Sequence, residues 1–447
     1  MVVMNQELYA LLGKCADSTG LPVMDETQFT DVTERYGKDV FRKTLAEYIF
    51  QERPPFPANQ VTEKRRDDAW WKLKQYDIWK GVTHINNQQR EVIEKFDDYK
   101  YPFSEHGLGV IDAPARPYND VSDWFMKPLR WQCNSYSFKA PLTVWNEGTA
   151  HEIWACLGAI WRGINDVKKV TVRDLDGNEK DKLVGGVLQQ NSYVATFRLA
   201  TYIATQFKPS MAKTIYQMTN AKRVLDTSMG WGDRLTGFYA SDAEVYIGCD
   251  PNPNTFYKYH EMIPYLEKMS GKQKTVHLFN CGAEDLPWDR ITDIDCAFTS
   301  PPYFATERYN EGGENEDAQS WKKFSEYEQW RDDFFLPVSQ KTFDSLSNDG
   351  HMIINIMNPK VKNVVYPSCD ELVDLLRPHF KGQIGMRIMQ RPQGKSVFKD
   401  EEGNFDKEQL QDFFDQMYIE NCWYFGKEDT PDIFLRAEKN NLDDFFA

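Results

Sequence analysis

Short apolar runs recur through the second half of the chain, and each stops at a polar or turn-forming residue. Four such runs are Arg223–Asp226, Val245–Asp250, Thr275–Asn280 and Asp295–Thr299. Apolar residues at helical spacing fill longer intervals, as in Tyr327–Leu346. Strands that alternate with helices in this way predict an α/β fold with a mostly parallel sheet flanked by helices.

The front of the chain has a different pattern. Residues 1 to about 50 read as helices, because Phe41, Leu45 and Ile49 recur at helical spacing. The polar helical stretch Val61–Lys100 mixes basic residues with tryptophans, which either face a core or stack on nucleobases. Val170–Asn178 predicts a hairpin with an Asp-Gly turn.

These patterns predict three regions. We expect a mainly helical accessory domain over residues 1–180, a second domain over 181–427 and an acidic tail over 428–447. The loop-rich part of the first region carries aromatic and basic residues between Trp124 and Trp131, and is a candidate target-recognition surface.

Composition narrows the function classes. The formal net charge is −15, which opposes nucleic-acid binding unless basic residues are concentrated on one face. No apolar run approaches the ~18 residues of a membrane span, and the N-terminus lacks the features of a signal peptide. The eight cysteines have no CxxC spacing, which favours free thiols in a reducing cytoplasm over disulfides or a metal site.

The run Thr299-Ser300-Pro301-Pro302-Tyr303 ends a predicted strand. Each proline fixes its own φ and lacks an N–H, so the sheet cannot continue. In open α/β sheets, ligands bind at the carboxyl ends of strands. A small pocket with hydrogen-bond acceptors and an aromatic wall is expected there, and a plain turn beside a core tyrosine is the alternative.

A second candidate is the glycine-rich turn Asp226-Thr-Ser-Met-Gly230-Trp-Gly232 between a strand and a helix. Such a turn lets the backbone approach a ligand closely. Leu235 stands where a dinucleotide motif would place its third glycine. Asp250 ends the next strand, 24 residues after Asp226 (250 − 226), where an acid can bind ribose hydroxyls of a nicotinamide or an adenosylmethionine cofactor.

The Thr-Ser-Pro-Pro-Tyr run resembles motif IV of the S-adenosylmethionine (SAM)-dependent amino-methyltransferases, which methylate exocyclic amines of nucleobases. It looks most like the cytosine-N4 branch, because the adenine-N6 branch more often has Asp or Asn at the position of Ser300. The resemblance implies catalytic roles for Ser300, Pro301, Pro302 and Tyr303, with no metal. The hydroxyl and carbonyl acceptors would polarise the amine, and Tyr303 would stack on a base flipped out of its helix.

The glycine-rich turn resembles motif I of the same family. The resemblance implies a Rossmann-like class I methyltransferase fold with a mostly parallel seven-stranded sheet, and SAM as cofactor with S-adenosylhomocysteine (SAH) as product. The cofactor-binding residues that it implies are Phe207, Pro209, Asp226, Thr227, Gly230, Gly232, Asp250, Pro251, Ala283, Glu284 and Thr299. One departure is Gly282, which replaces an acid of the family, so the adenine contact falls to Glu284, Asp285 or a carbonyl.

Two alternatives stay open. Adenine in DNA or a base amine in RNA could be the target, although Ser300 favours cytosine in DNA. A binding protein that keeps the fold and cofactor pocket, and uses its acidic surface for protein partners, is a different class of function. The expected partner is nucleic acid, with no membrane, and the oligomeric state is unknown.

Overall fold

The structure is a computed structural model. It describes residues 4–58, 61–85, 98–161, 168–173, 179–184, 186–389 and 418–434.

Helices and strands are numbered here in chain order. The α-helices are α1 (Gln6–Lys14), α2 (Glu26–Tyr36), α3 (Lys38–Glu52), α4 (Glu63–Gln75), α5 (Phe103–His106), α6 (Asp120–Gln132), α7 (Pro141–Glu147), α8 (Ala150–Cys156), α9 (Gln190–Ala200), α10 (Pro209–Met218), α11 (Asp233–Ala240), α12 (Pro253–Ser270), α13 (Ser320–Lys323), α14 (Tyr327–Gln329), α15 (Leu336–Asp344) and α16 (Ser368–Leu375). The strands are β1 (Val82–His84), β2 (Gly107–Ile111), β3 (Lys168–Arg173), β4 (Glu179–Val184), β5 (Arg223–Asp226), β6 (Val245–Cys249), β7 (Thr275–Phe279), β8 (Ile294–Thr299), β9 (Leu346–Asn355), β10 (Lys360–Val361), β11 (Val364–Val365), β12 (Phe380–Met389) and β13 (Tyr418–Gly426).

The main sheet of the described residues has nine strands in the order β1-β2-β12-β13-β9-β8-β5-β6-β7. From β9 to β7 all neighbours are parallel, and β13 is antiparallel to both β9 and β12. The predicted Rossmann-like α/β class, with a mostly parallel sheet, is confirmed.

The sheet is two strands wider than the predicted seven. The additional strands β1 and β2 come from the front of the chain, and β2 pairs in parallel with β12. Gly109 permits this position because a Cβ there would lie 2.2 Å from Cε1 of Phe434. Residues from the predicted accessory region therefore extend the sheet.

The chain divides into two compact units. The first combines residues 1–60, 128–204 and 309–313, and the second combines 61–127, 205–308 and 314–447. Residue 180, the expected end of the accessory domain, lies within β4 and in the first of these units.

The first unit is mainly helical around its own core. Phe41, Leu45 and Ile49 of α3 are all fully buried, as their spacing predicts. Trp161 packs against Phe29 and Phe41 at ring distances of 5.8 and 5.6 Å. β3 and β4 pair as the predicted hairpin, whose Asp-Gly turn lies outside the described residues.

The second unit contains the nine-stranded sheet. A π-helical segment, Trp330–Phe335, joins α14 to α15 within the predicted helix Tyr327–Leu346. The wider π turn places residues i and i+5 in line, and the rings of Trp330 and Phe335 stack 4.7 Å apart at 10°. Both aromatic rings are thereby buried in the core of this unit.

Candidate functional site

The predicted motifs lie at one edge of the sheet. β8, β5, β6 and β7 are parallel neighbours, so their carboxyl ends face the same way. Asp226 ends β5, Asp250 follows β6 and Thr299 ends β8. The hydroxyl groups of Thr227 and Thr299 lie 3.2 Å apart and join the glycine-rich turn to the Thr-Ser-Pro-Pro-Tyr run.

The glycine-rich turn depends on two backbone conformations that favour glycine. Gly230 has a φ of +57° and Gly232 a φ of +75°. Gly232 is also the N-cap of α11, and a Cβ there would lie 2.8 Å from Cε of Met262. The turn is thus tightly constrained, and α11 begins directly after it.

Asp226 stabilises the glycine-rich turn through buried hydrogen bonds and an ion pair. Its carboxylate is fully buried, accepts a hydrogen bond from Arg234 Nε at 2.9 Å and another from the Tyr246 hydroxyl at 2.6 Å. The same guanidinium also donates to the carbonyl oxygen of Ser228 inside the turn. These contacts give Asp226 a supporting position, and its predicted direct contact with a cofactor stays a prediction.

Asp250 is also engaged within the protein. Its carboxylate accepts hydrogen bonds from the backbone amides of Gly230 and Asn252 at 2.9 and 3.0 Å, and from the hydroxyls of Thr255 and Tyr259 at 2.9 and 3.3 Å. Burial raises the pKa of Asp250 to about 6, against the lowering effect of these donors. The ribose contact predicted for Asp250 would compete with these bonds.

A buried acceptor lies near the predicted adenine position. Ala283 and Glu284 begin a short 3₁₀ turn after β7, and Lys323 binds Glu284 Oε1 at 2.6 Å. Oε2 of Glu284 is buried, with no hydrogen-bond partner in the described part of the chain. An unsatisfied buried carboxylate oxygen is costly, so a ligand N–H donor such as the adenine amine fits this position. Pro251 is half-buried beside Asp250.

The segment before the glycine-rich turn lies close to it. Pro209 occupies the first position of α10, where its missing N–H costs no hydrogen bond, and is buried. The ring of Phe207 packs against Phe298 of β8 at 5.6 Å, and the Arg234 guanidinium lies 5.3 Å from its centroid. Phe207 therefore packs between β8, which leads into the Thr-Ser-Pro-Pro-Tyr run, and Arg234, which stabilises the glycine-rich turn.

The Thr-Ser-Pro-Pro-Tyr run leaves β8 as predicted. Thr299 and Pro301 are buried, while Ser300, Pro302 and Tyr303 are partly exposed. The backbone amide of Tyr303 donates to Glu307 at 3.1 Å. Burial raises the pKa of Tyr303 well above its usual value, so its hydroxyl stays protonated.

The structure adds a residue that the sequence did not single out. Glu420 of β13 lies near Tyr303, and Asn355 Nδ2 donates to its carboxyl group at 3.3 Å. Burial raises the pKa of Glu420. Asn355 ends β9 and Glu420 lies near the start of β13. These two strands therefore place further polar groups beside the Thr-Ser-Pro-Pro-Tyr run. The only sequence signal was a carboxylate inside an apolar strand.

The side chain of Lys208 is a buried cation near the same edge of the sheet. Lys208 donates to the carbonyl oxygens of Ala113, at 2.9 Å, and Arg387. Arg387 pairs with Asp112 at 2.8 Å. Burial lowers the pKa of Lys208 to about 8. Arg387 also begins a run rich in basic residues, glycine and proline, Arg387–Lys395, of which residues 387–389 are described and the rest lies outside the described residues.

The described residues contain no group of three or more His, Cys, Asp or Glu side chains placed to hold a metal ion. Among the described helices none is both long and apolar enough to cross a membrane.

Comparison with solved structures finds distant similarity to methyltransferases. A Podospora anserina methyltransferase bound to SAH is 15% identical, over 33% of this chain and 50% of that one, with a TM-score of 0.22. A SAM-dependent O-methyltransferase of Thermotoga maritima is 11% identical, over 62% and 99%, with a TM-score of 0.29. An rRNA methylase of Streptococcus thermophilus is 12% identical, over 50% and 100%, with a TM-score of 0.28.

The chain thus spans about half of the length of the Podospora structure that it matches. No protein-family model matches the chain, and no curated protein sequence does so either. Similarity with such low sequence identity and TM-scores carries no information about the substrate. Only the chemistry of the site can indicate the function.

Proposed function

We propose that the protein transfers a methyl group from SAM to an exocyclic amino group of a nucleobase, and that the target is N4 of cytosine in DNA. One observation carries the proposal: the glycine-rich turn and the Thr-Ser-Pro-Pro-Tyr run end adjacent strands and are joined by the Thr227–Thr299 contact. A cofactor turn and an amine-binding run need this proximity, because methyl transfer requires donor and acceptor to be held together.

The cofactor half of the site has features that suit SAM. Gly230 and Gly232 allow close approach of a ligand to the backbone, and Glu284 Oε2 offers a buried acceptor for an adenine amine. Phe207 and Pro209 would border the methionine end. When bound, SAM supplies an electrophilic methyl group.

The acceptor half explains how a poor nucleophile could react. The lone pair of an exocyclic amine is delocalised into the base. The Ser300 hydroxyl and the Pro301 carbonyl accept its two N–H groups, which favours a nitrogen with an available lone pair. Tyr303, which lies near Glu420, stacks on the flipped base. Positioning and hydrogen bonding do this work without a metal.

The test compares methyl transfer with cofactor binding in the same variants. Ser300→Ala should lower transfer to DNA at least about 100-fold, a magnitude typical of losing one positioned hydrogen-bond group. Tyr303→Ala should lower it about 10- to 100-fold, because stacking on an aromatic ring contributes about 1–3 kcal/mol per base. Their SAH affinity, measured by calorimetry, should stay within about twofold. Ser347→Ala is the matched control, because Ser347 lies near the start of β9 at the opposite edge of the sheet.

Three outcomes would change the proposal. Transfer to adenine or to RNA would keep the mechanism and move the substrate. Full activity of Ser300→Ala would remove the acceptor site from the proposal. Tight SAH binding without transfer to either polymer would favour a binding protein on this fold.

A further inference from the structure

A small hairpin rises from the edge of the sheet that carries the motifs. β9 ends at Asn355 on this edge, and β10 and β11 follow as an antiparallel pair, with Lys360 opposite Val365 and Val361 opposite Val364. Lys362 and Asn363 form the turn, both with positive φ, +49° and +67°. Positive φ at both positions is what a tight two-residue hairpin turn requires, so the hairpin has a defined conformation.

The base of the hairpin is fixed to the Thr-Ser-Pro-Pro-Tyr segment. Tyr366, directly after β11, stacks on Tyr327 at 4.3 Å and packs edge-on against Phe304 at 5.5 Å. Phe304 is buried and directly follows Tyr303. An isolated two-stranded hairpin is only marginally stable in water, so these ring contacts hold it beside the motif.

The tip has a composition that burial does not explain. Val364 and Val365 are 51% and 57% exposed, and Lys360 and Lys362 are exposed beside them. Single exposed apolar residues are ordinary, but here two adjacent valines lie next to two cations. The run Ile356–Cys369 contains no Asp or Glu, although the whole chain has a net charge of −15.

We infer that this hairpin, residues 360–365, is a nucleic-acid contact element that grips the strand beside the target base. The inference rests on the proposed function. The two lysines suit backbone phosphates. Val365 shares one face of the hairpin with Lys360, and Val364 shares the other with Val361. Each face therefore presents an exposed apolar side chain, and apolar side chains of this kind are inserted between base steps by architectural proteins. Its attachment through Tyr366 and Phe304 places these contacts next to the residue expected to stack on the base.

The test is fluorescence anisotropy with a labelled DNA duplex and a single strand of the same sequence, in the presence of SAH, at several salt concentrations. Lys360→Gln/Lys362→Gln should weaken binding to both DNAs about tenfold near 0.1 M salt. It should also reduce the salt dependence, since each lost phosphate contact removes about 0.9 from the logarithmic slope on duplex DNA. Val364→Ser/Val365→Ser should weaken duplex binding several-fold, affect the single strand less and leave the salt dependence unchanged.

The matched control is Lys272→Gln/Lys381→Gln. It makes the same change in charge at two exposed lysines, and Lys381 lies near the start of β12, at the opposite edge of the sheet. It should bind as the unaltered protein does. All changed side chains are exposed, and equal thermal midpoints would show that the variants fold alike.

The outcomes separate the two proposals. If the unaltered protein binds and methylates DNA while the hairpin variants match the lysine control, the hairpin inference is overturned and the proposed function stands. If the unaltered protein binds neither DNA nor RNA, both are overturned. If Lys272→Gln/Lys381→Gln weakens DNA binding as much as Lys360→Gln/Lys362→Gln does, binding depends only on the net charge of the protein. The hairpin inference is then overturned.

Discussion

At the residue scale, the site is built from acids whose oxygens bind other parts of the protein. Asp226 holds Arg234, and Asp250 ties the amide of Gly230 to β6. Both acids are predicted to contact the cofactor, Asp226 from the family resemblance and Asp250 from its place at the end of a strand. Their hydrogen bonds also fix the shape of the glycine-rich turn. A sequence shows where such acids lie, but not which donors will reach them.

The ion pair between Asp226 and Arg234 gives a stability prediction. Both side chains are almost completely buried, so Asp226→Asn leaves an unpaired buried guanidinium and should lower the free energy of unfolding by about 3–5 kcal/mol. Urea unfolding measures this loss. Glu261→Gln is the control, because its pair with Lys258 is largely exposed and is worth at most about 1 kcal/mol. Equal losses in the two variants would contradict the role given to Asp226.

His351 gives a prediction about pH. It is buried on β9, with Nδ1 2.9 Å from the Tyr424 hydroxyl, and burial lowers its pKa from 6.5 to about 4. Between these pH values the unfolded chain binds the proton and the folded protein does not. Stability should therefore fall as pH drops from 6.5 to 4, with about 3 kcal/mol attributable to this group.

His351→Phe removes this titration while keeping a ring beside Tyr424. We expect its urea midpoint to change less between pH 7 and pH 4.5 than that of the unaltered protein. An equally steep dependence in the variant would show that other groups cause the acid sensitivity.

At the scale of elements, the predicted strands agree well with the structure where apolar runs are continuous. β5 has the predicted bounds, and β6, β7 and β8 agree closely. β1 and β2 escaped prediction, because a three-residue strand and a run with two glycines carry little intrinsic strand preference. They become strands by pairing with a sheet formed by residues far away in the sequence. Glu420 was likewise not predicted as a site residue, because only folding brings β13 close to Tyr303, which lies far away in the sequence.

The turn before α11 gives a prediction at this scale. Gly232→Ala adds a Cβ 2.8 Å from Met262 and strains a positive φ, so it should weaken SAH binding at least tenfold by calorimetry. Gly271→Ala is the matched control, because Gly271 also has a positive φ, +66°, but has no atom within 4 Å of such a Cβ.

Both glycine variants should lose at least about 1 kcal/mol of stability from the strained backbone, and Gly232→Ala should lose more because its Cβ also meets Met262. Only Gly232→Ala should lose cofactor affinity. If Gly271→Ala weakens SAH binding equally, backbone strain alone is responsible and the turn is not the cofactor site.

At the scale of the whole molecule, the chain forms two compact units with separate cores. Residues at the proposed site, from Phe207 to Tyr303 and including Glu420, belong to the second unit. We therefore expect two transitions in thermal unfolding. SAH at about 100 times its dissociation constant should stabilise one of them by about 2.7 kcal/mol.

Differential scanning calorimetry with and without SAH measures both transitions. A shift of both by the same amount would show that the units unfold together. Absence of any shift at saturating SAH would contradict a cofactor site in the second unit.

The most direct measurement of the central claim follows the methyl group itself. The protein would be incubated with SAM carrying a deuterated methyl group and unmodified DNA, and the digested nucleosides identified by mass spectrometry. We expect N4-methylcytosine that carries the intact deuterated methyl group, and at least about 100-fold less of it when Ser300→Ala replaces the unaltered protein. Unlabelled nucleosides throughout, from a protein shown to bind SAH, would contradict the claim that the glycine-rich turn and the Thr-Ser-Pro-Pro-Tyr run form one methyl-transfer site for nucleobases.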